Sequence, residues 1–194
     1  SISDIICKGV QPKTYFLSLS LNKISKIWLK NFKNIFSSES KKYGLFLGGG
    51  DIVKSKKLSF TFTVLGYVKK KPILRSNASL LDDIYVTGNL GDSYLGLLVF
   101  QNKIKNKKFR NYFKNSFIEP KLPYKFSKTI SKFANSSMDI SDGLIKDLKS
   151  LCFASNCGAQ FLFESIPFSN QAIFLQKKKL IKLINIFSKG DDYQ

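Results

Sequence analysis

Histidine is absent from the 194 residues, and the sequence contains only three cysteines and two arginines. The lack of histidine excludes a Ser–His nucleophile and any metal site built on imidazole. The cysteines are too few and too irregularly spaced for a disulfide framework or a zinc site, which fits a reducing cytoplasm. Chemistry in this chain must therefore use carboxylates, hydroxyls, lysine, arginine or backbone groups.

Long apolar runs are also missing. No stretch approaches the roughly 20 apolar residues that a membrane-spanning helix requires, and residues 1–9 lack the basic start and apolar stretch of a signal peptide. A hydrophobic content of 43% with 18 phenylalanines is nevertheless enough to build a core. We expect a soluble, cytoplasmic protein that does not bind a membrane.

Acidic side chains are scarce, and the formal net charge is +19. Such a charge raises the hypothesis of nucleic-acid binding. Only Arg75 and Arg110 provide the forked guanidinium that reads bases, however, and the lysines are scattered along the chain. We favour a solvated lysine-rich surface and no nucleic-acid partner, with a basic groove as the alternative.

The hydrophobic pattern predicts an α+β fold with helices packed on mixed or antiparallel sheets. Alternation predicts strands at 14–21 and 58–68, and helical spacing predicts a helix over 23–42. Residues 84–87 predict a buried strand. The polar run at 69–72 contains Pro72 and indicates a boundary near residue 73, so we expect domains at 1–73 and 74–194.

The second half is predicted to be mostly helical. Its predicted helices cover 93–101, 127–133, 143–155 and 171–187, and two strand-like stretches separate the last two. Residues 103–123 are rich in lysine and weakly patterned, which indicates an irregular surface segment.

Four aspartate-bearing segments stand beside glycines or at element ends, in a chain with only 13 acidic residues: 3–5, 49–51, 138–143 and 190–193. A short strand at 44–47 is predicted to lead into a turn at 48–51 whose backbone can approach a phosphate. Converging carboxylates repel one another unless a divalent cation joins them, and Mg²⁺ on aspartates is the usual partner of ATP. Taken singly, each segment is also explained as a turn or helix cap; capping is the favoured role for Asp92 and an alternative for Asp4.

Taken together and in order, these segments resemble the thiamine-monophosphate kinase family, in the superfamily of aminoimidazole ribonucleotide synthetase and selenophosphate synthetase. SISDIICKGVQP, GGGDIVKS, TGNLGD, MDISDGL, ASNCGAQF and GDDY carry the likeness, which covers nearly the whole chain. The resemblance implies a two-part α+β fold, a homodimer formed through N-terminal strands, and phosphoryl transfer from ATP to thiamine monophosphate with several Mg²⁺ ions.

The resemblance also implies roles for individual residues. Magnesium ligands are expected at Asp4, Asp51, Asp139 and Asp142. ATP contacts are expected at Gly50, Asp51, Arg75 and Ser141. Asp191 is expected to face the thiamine-phosphate substrate, and no residue is expected to act as a general base.

The sequence departs from the family at several positions. Ile52 and Val53 stand where the family has two threonines, Lys8 replaces a methionine, and Gln194 stands where glutamate is usual. We expect the chain to be an internal portion of a longer protein. The alternatives are another ATP-using member of the superfamily, a lysine-rich nucleic-acid-binding protein without enzyme activity, and an inactive relative.

Overall fold

The computed structural model describes residues 1–23, 25–68, 71–104 and 107–194. The elements are α1 (Ile2–Ile6), β1 (Gln11–Leu21), α2 (Lys26–Tyr43), β2 (Phe46–Lys54), β3 (Ser59–Tyr67), α3 (Asp92–Phe100), α4 (Arg110–Ile118), α5 (Ser127–Ile130), α6 (Leu144–Ser155) and α7 (Asn170–Lys177). Short 3₁₀ turns cover Tyr124–Phe126, Phe163–Ser165 and Leu183–Asn185. None of the described helices is long and apolar enough to cross a membrane.

The three strands form one mixed sheet in the order β2-β1-β3, with β1 parallel to β2 and antiparallel to β3. Alternate residues of β1 point toward α2 and are buried: Tyr15, Leu17, Leu19 and Leu21. Aromatic side chains of α2 complete this layer, with Phe32 stacked on Phe60 at 5.5 Å and Phe36 on Phe62 at 5.4 Å between ring centroids. The sheet and α2 thus confirm the α+β class.

The ends of α2 follow from local sequence signals. Its first turn is capped by the hydroxyl of Ser25, which accepts a hydrogen bond from the amide of Trp28 at 3.1 Å. Its last turn ends at Gly44, whose φ of 63° is a left-handed conformation that glycine adopts at low cost. The helix predicted for 23–42 is therefore confirmed over 26–42, and Ile24 lies outside the described residues.

The second half is a helical assembly without strands in its described part. The apolar faces of α3, α4 and α7 meet in a core that includes Leu95, Val99, Phe113 and Leu175. The close approach of α3 to α4 depends on Gly96, because a Cβ there would lie 2.1 Å from the carbonyl oxygen of Phe113. A second cluster joins α6 to the segments on either side of it: Leu90, Ile140, Leu144, Ile166 and Phe187.

Several secondary-structure predictions for the second half were wrong. Residues 84–87 have no regular structure, and Ile84 and Tyr85 are exposed. The lysine-rich stretch contains α4, because Phe113 is buried against α3 and fixes a helix that the surrounding lysines obscure. No strand separates α6 from α7, and the helix predicted for 171–187 ends at Lys177.

Candidate functional site

The aspartate segment at 138–143 and the segment at 190–193, extended by Gln194, form one structural unit. Three backbone hydrogen bonds join them: Asp191 N to Ser141 O at 2.9 Å, Tyr193 N to Ile140 O at 2.9 Å, and Ile140 N to Gln194 O at 3.2 Å. Gly190 permits this approach, because a Cβ there would lie 2.0 Å from the carbonyl oxygen of Ser141. Two motifs about 50 residues apart in sequence therefore carry their aspartates on adjacent, hydrogen-bonded backbone segments.

The turn that precedes α6 is held by a buried carboxylate from the helix itself. Asp147 is 4% exposed, and its Oδ2 accepts hydrogen bonds from the amides of Asp142 at 2.9 Å and Gly143 at 3.1 Å. Gly143 has a φ of 108°, which disfavours any residue with a side chain. Burial raises the pKa of Asp147 despite these hydrogen bonds. Asp147 thus fixes the geometry of the turn without facing solvent.

Asp142 itself points outward and forms an ion pair with Lys146 one helical turn later. Both side chains are more than half exposed, so the pair is screened by water and adds little to stability. Its carboxylate is therefore available to a ligand that outcompetes a surface lysine.

Asp4 and Asp139 lie near the side chains of both Cys7 and Tyr193, and Asp191 lies beside Tyr193. Burial raises the pKa of Tyr193, and the charges of all three aspartates raise it further. Burial also raises the pKa of Cys7 to about 11, with smaller contributions that include the charges of Asp139 and Asp4. The hydroxyl of Tyr193 donates to Asp191 Oδ1 at 3.2 Å. Three of the predicted site residues are therefore brought together.

Helix α1, which carries Asp4, is tied to the same unit by a lysine. Lys8 Nζ donates to the carbonyl oxygen of Ser137 at 2.5 Å, two residues before Asp139. Asp4 is the third residue of α1, so it is not the N-cap of this helix. A cavity of about 100 Å³ opens beside this junction, and Cys7, Met138 and Gln194 are among its lining residues.

Two further buried carboxylates, Asp92 and Asp192, lie at the start of α3, and Asp192 anchors the 190–194 segment there. Asp192 Oδ2 accepts from the amide of Gly91 at 2.7 Å, and its Oδ1 from the amide of Ser93 at 3.3 Å, so it caps α3 from a distant part of the chain. Asp92 is the first residue of α3 and accepts from Tyr112 and Ser169 hydroxyls, both at 2.6 Å. The expectation that Asp92 caps this helix was therefore wrong, because Asp192 occupies that place.

Burial is the main influence on the pKa of both carboxyls. It raises the pKa of Asp192 to about 7 although the two amide hydrogen bonds act to lower it, and the charge of Asp92 raises it further. The pKa of Asp92 is also raised by burial, against the hydrogen bonds from Ser169 and Tyr112.

Gly50 and Asp51 lie in a strand, which corrects the predicted turn at 48–51. β2 continues through all three glycines, with Gly48 as a bulge because Tyr15 pairs with Leu47 and Phe16 with Gly49. Gly50 packs against β1, since a Cβ there would lie 2.0 Å from Leu17 O. The Asp51 carboxylate is exposed and accepts from the amide of Ile52 at 2.8 Å.

Arg75 lies in an exposed turn between the two halves of the chain. Its carbonyl oxygen accepts from the hydroxyl of Ser155 at 2.7 Å, which ties this turn to the end of α6. Its guanidinium makes no hydrogen bond or ion pair with another residue in the described ranges, so it is free to bind an anion.

No three Asp, Glu or Cys residues of the described chain converge closely enough to hold one metal ion. Asp4, Asp139 and Asp191 share the surroundings of Tyr193, whereas no described contact joins Asp51 or Asp142 to that group. The four predicted metal ligands are thus partly assembled.

The first 68 residues match the profile of the N-terminal domain of AIR synthase related proteins. The whole chain aligns with the thiamine-monophosphate kinase of Buchnera aphidicola (subspecies Acyrthosiphon pisum) at 37% identity, covering 60% of that protein. The chain belongs to the thiamine-monophosphate kinase family. It spans about 60% of the length of the curated relatives that it matches.

Solved thiamine-monophosphate kinase structures share the fold. The chain superposes on the enzyme from Aquifex aeolicus with a TM-score of 0.90 at 31% identity, covering 99% of this chain and 66% of that one. A structure described as AaThiL complexed with AMPPCP and TMP gives the same TM-score of 0.90 and 31% identity, covering 100% and 63%. The two-part fold expected from the family is therefore confirmed at the level of backbone architecture.

The motifs shared with the thiamine-monophosphate kinase family did not single out Asp147 and Asp192, the two buried carboxylates that hold the candidate segments in place. Asp147 stands in the first turn of α6, after Gly143, where an acidic residue is a known signal for capping. Asp192 adjoins Asp191 in the same motif, and only the contact with Gly91, 101 positions away, distinguishes the buried member from the exposed one.

Proposed function

We propose that the complete protein transfers a phosphoryl group from ATP to thiamine monophosphate, yielding thiamine diphosphate and ADP. The observation that carries the proposal is the pairing of the Ser141 turn with the Asp191 segment, which sets the expected ATP and acceptor residues side by side. The likeness to a structure described with AMPPCP and TMP supports the same pair of ligands.

The proposed ATP contacts are Gly50, Asp51, Arg75 and Ser141. Arg75 suits a phosphate because its guanidinium is exposed, and a guanidinium grips two phosphate oxygens at once. Ser141 is half-buried, and its backbone is fixed by the hydrogen bond from Asp191. Asp191 is the proposed contact to thiamine monophosphate, because it is exposed beside Tyr193 at the junction of the two motifs.

The residues at this site suit magnesium. Asp4, Asp51 and Asp142 expose carboxylate oxygens and Asp139 is half-buried, and hard oxygen ligands of this kind match Mg²⁺. We propose these four residues as metal ligands, with nucleotide phosphates supplying further oxygens because no three protein ligands converge in the described chain. When bound, Mg²⁺ would neutralise charge on the phosphates during the transfer.

No protein base is needed in this reaction, because the acceptor phosphate is already ionised near neutral pH. The contribution of the chain is to orient two anions and to keep them close. Asp147 and Asp192 serve that purpose by fixing the turn and the 190–194 segment on which the proposed contacts stand.

We also propose a homodimer formed through the sheet. β2 and β3 are the outer strands, and both expose large apolar side chains: Phe46, Leu47, Ile52, Leu65 and Tyr67. Apolar surface of this extent on strands is typical of an interface. Ile52 and Val53, which stand where the family has threonines, add to the exposed apolar area of β2.

The division into domains at 1–73 and 74–194 and the cytoplasmic location remain proposals. Separate hydrophobic clusters in the sheet and in the helices support the division. We propose no nucleic-acid partner; a basic groove would instead bind nucleic acid with an affinity that falls steeply as salt rises.

The direct test is the formation of thiamine diphosphate by the complete protein with thiamine monophosphate, ATP and Mg²⁺. Turnover of aminoimidazole precursors or selenide instead would assign the protein to another branch of the superfamily.

The two arginines provide a matched pair of variants. Arg75→Lys should weaken ATP binding about ten- to a hundredfold, because a hydrogen bond to a charged group contributes roughly 1.5–3 kcal/mol.

Arg110→Lys should leave ATP affinity unchanged, since Arg110 donates to Asn102 within the helical half and lies outside the proposed site. Equal affinities in both variants and the wild type would remove Arg75 from the proposed ATP contacts.

A further inference from the structure

Two of the three cysteines meet at the end of α6. After the last helical residue, Ser155, the cap residue Asn156 has a left-handed φ of 52°, and the amide of Cys157 donates back to the carbonyl oxygen of Cys152 at 3.0 Å. This closure brings two residues five positions apart side by side, an arrangement that is frequently accompanied by side-chain contact.

Both residues are partly exposed and free, and the interaction with the Cys157 side chain contributes to raising the pKa of Cys152. Disulfide formation requires neighbouring backbones, and the closed helix end provides them.

We propose that Cys152 and Cys157 form a reversible intrachain disulfide by exchange with a small disulfide of the glutathione class. One thiolate attacks a sulfur of the small disulfide, displacing one small thiol and leaving a mixed disulfide on the protein. The second cysteine, after losing its proton, attacks the protein sulfur and displaces the other small thiol. The protein loses two hydrogen atoms, and the small disulfide is reduced to two thiols.

Cys7 is chemically distinct from this pair and serves as an internal control. Its S–H donates to the carbonyl oxygen of Asp4 at 3.3 Å, and no contact in the described part of the chain joins it to the pair. Burial raises the pKa of Cys152, with a further contribution from Cys157. Because the thiolate is the attacking species, exchange at the pair should accelerate as pH rises.

The disulfide would act on the turn that carries Arg75. Ser155 lies between the two cysteines, donates to Arg75 O at 2.7 Å and accepts from the amide of Ala78 at 3.1 Å. Closing the 152–157 loop fixes the backbone that holds Ser155, and hence its grip on residues 75–78. The link from this turn to nucleotide binding rests on the proposed role of Arg75; the disulfide itself does not.

The test treats the complete protein with oxidised glutathione at mildly alkaline pH, alkylates the remaining thiols and digests with trypsin. Cleavage after Lys149 and Lys177 leaves both cysteines in one peptide, because no lysine or arginine lies between. We expect that peptide to escape alkylation, to lose the mass of two hydrogens, and to recover both on reduction. The amide of Ala78 should exchange with solvent more slowly in the oxidised protein.

Cys157→Ser should instead collect glutathione on Cys152, and Cys7→Ser should form the intrachain bond as the wild type does. Full alkylation of both cysteines in the treated wild type, stable glutathione on either, or a bond to Cys7 would overturn the disulfide. Unchanged exchange at Ala78 despite the bond would overturn its effect on the Arg75 turn.

Discussion

The sheet and the helical half bury their surfaces in opposite ways. In the sheet, β1 is buried while the outer strands leave apolar side chains in solvent, Phe46 being 61% exposed. In the helical half, the core side chains are closed off, and three carboxylates are buried as well: Asp92, Asp147 and Asp192. The sheet has apolar surface that no other part of the described chain covers, whereas the buried carboxylates of the helical half are hydrogen-bonded within it.

The difference shows which segments are fixed by internal hydrogen bonds and which surfaces are left exposed. Buried carboxylates are costly unless hydrogen-bonded, so those of the helical half fix the loops to which they bond. Asp147 and Asp192 each hold a segment with exposed aspartates beside them. The acidic segments are therefore held from below by buried carboxylates and exposed at their surface, while the outer strands of the sheet expose apolar side chains.

The largest expected effect on stability comes from a substitution in the helical core. Phe113 of α4 is 1% exposed in the core shared with α3, so Phe113→Ala should lower the free energy of unfolding by about 3–5 kcal/mol. Phe46→Ala, on the exposed face of β2, should change it by less than about 1 kcal/mol at concentrations where the protein is monomeric. Chemical denaturation of both variants measures the contrast. A large loss in Phe46→Ala under those conditions would show that the sheet face is already covered within the protomer.

The next effect concerns pH. The pKa of Asp192 is about 7 in the folded chain, above its ordinary value, so the protonated carboxyl favours folding. Its contribution is complete below about pH 4 and is lost as pH rises toward 7, with a slope of at most about 1.4 kcal/mol per pH unit. The raised pKa of Asp92 acts in the same direction.

Asp192→Asn should flatten the dependence of unfolding free energy on pH between 4 and 7, as followed by denaturant titration at each pH. Asp191→Asn, at the exposed neighbour, should change the curve far less, because the charge of Asp191 makes only the smallest contribution to the raised pKa of Asp192. Identical curves for all three proteins would mean that Asp192 does not hold a proton in the folded chain.

A smaller effect separates positioning from binding in the turn before α6. Asp147→Ala leaves two amides without their partner and should cost about 1–3 kcal/mol of stability. Asp142→Ala removes only a surface ion pair and should preserve stability while weakening ATP binding in the presence of Mg²⁺. Thermal unfolding and calorimetric titration distinguish the two variants, and a reversed order of stability losses would refute these roles.

The smallest effect tests a contact between the halves. Lys42 in α2 bonds Glu119 after α4 at 2.7 Å, and this pairing lowers the pKa of Glu119. Because both side chains are exposed, Lys42→Ala should cost less than about 1 kcal/mol. A much larger loss in denaturant titration would indicate that the two halves are coupled more tightly than separate cores suggest.

How far the sequence predicted the structure depended on the range of the interactions. β1, β3, α2, α3 and α6 follow from local periodicity, and all five were predicted. The strand expected at Ile84 failed because its apolar residues find no neighbouring strand. Gly50 was placed in a turn because glycine is common there, while its actual role is close packing against Leu17.

The candidate site was likewise predicted where local motifs identify its residues and missed where long-range contacts decide. Its motifs identified Asp139, Asp142 and Asp191, and the backbone hydrogen bonds of Ile140 and Ser141 with residues 191–194 bring two of the segments together as convergence would require. The buried supports could not be read from the sequence, since the bond from Gly91 to Asp192 depends on how α3 packs against the end of the described chain. Whether the exposed aspartates bind metal remains a prediction.

The most direct test of this account is the melting temperature of the complete protein with and without Mg²⁺ and a non-hydrolysable ATP analogue. Ligands that bind only the folded state stabilise it by mass action, so the wild type should melt at a higher temperature with both present. Asp142→Asn should blunt that rise and match the wild type without ligands, because its pair with Lys146 is exposed. No rise in the wild type, or a variant that melts far lower without ligands, would contradict a nucleotide and metal site at this turn.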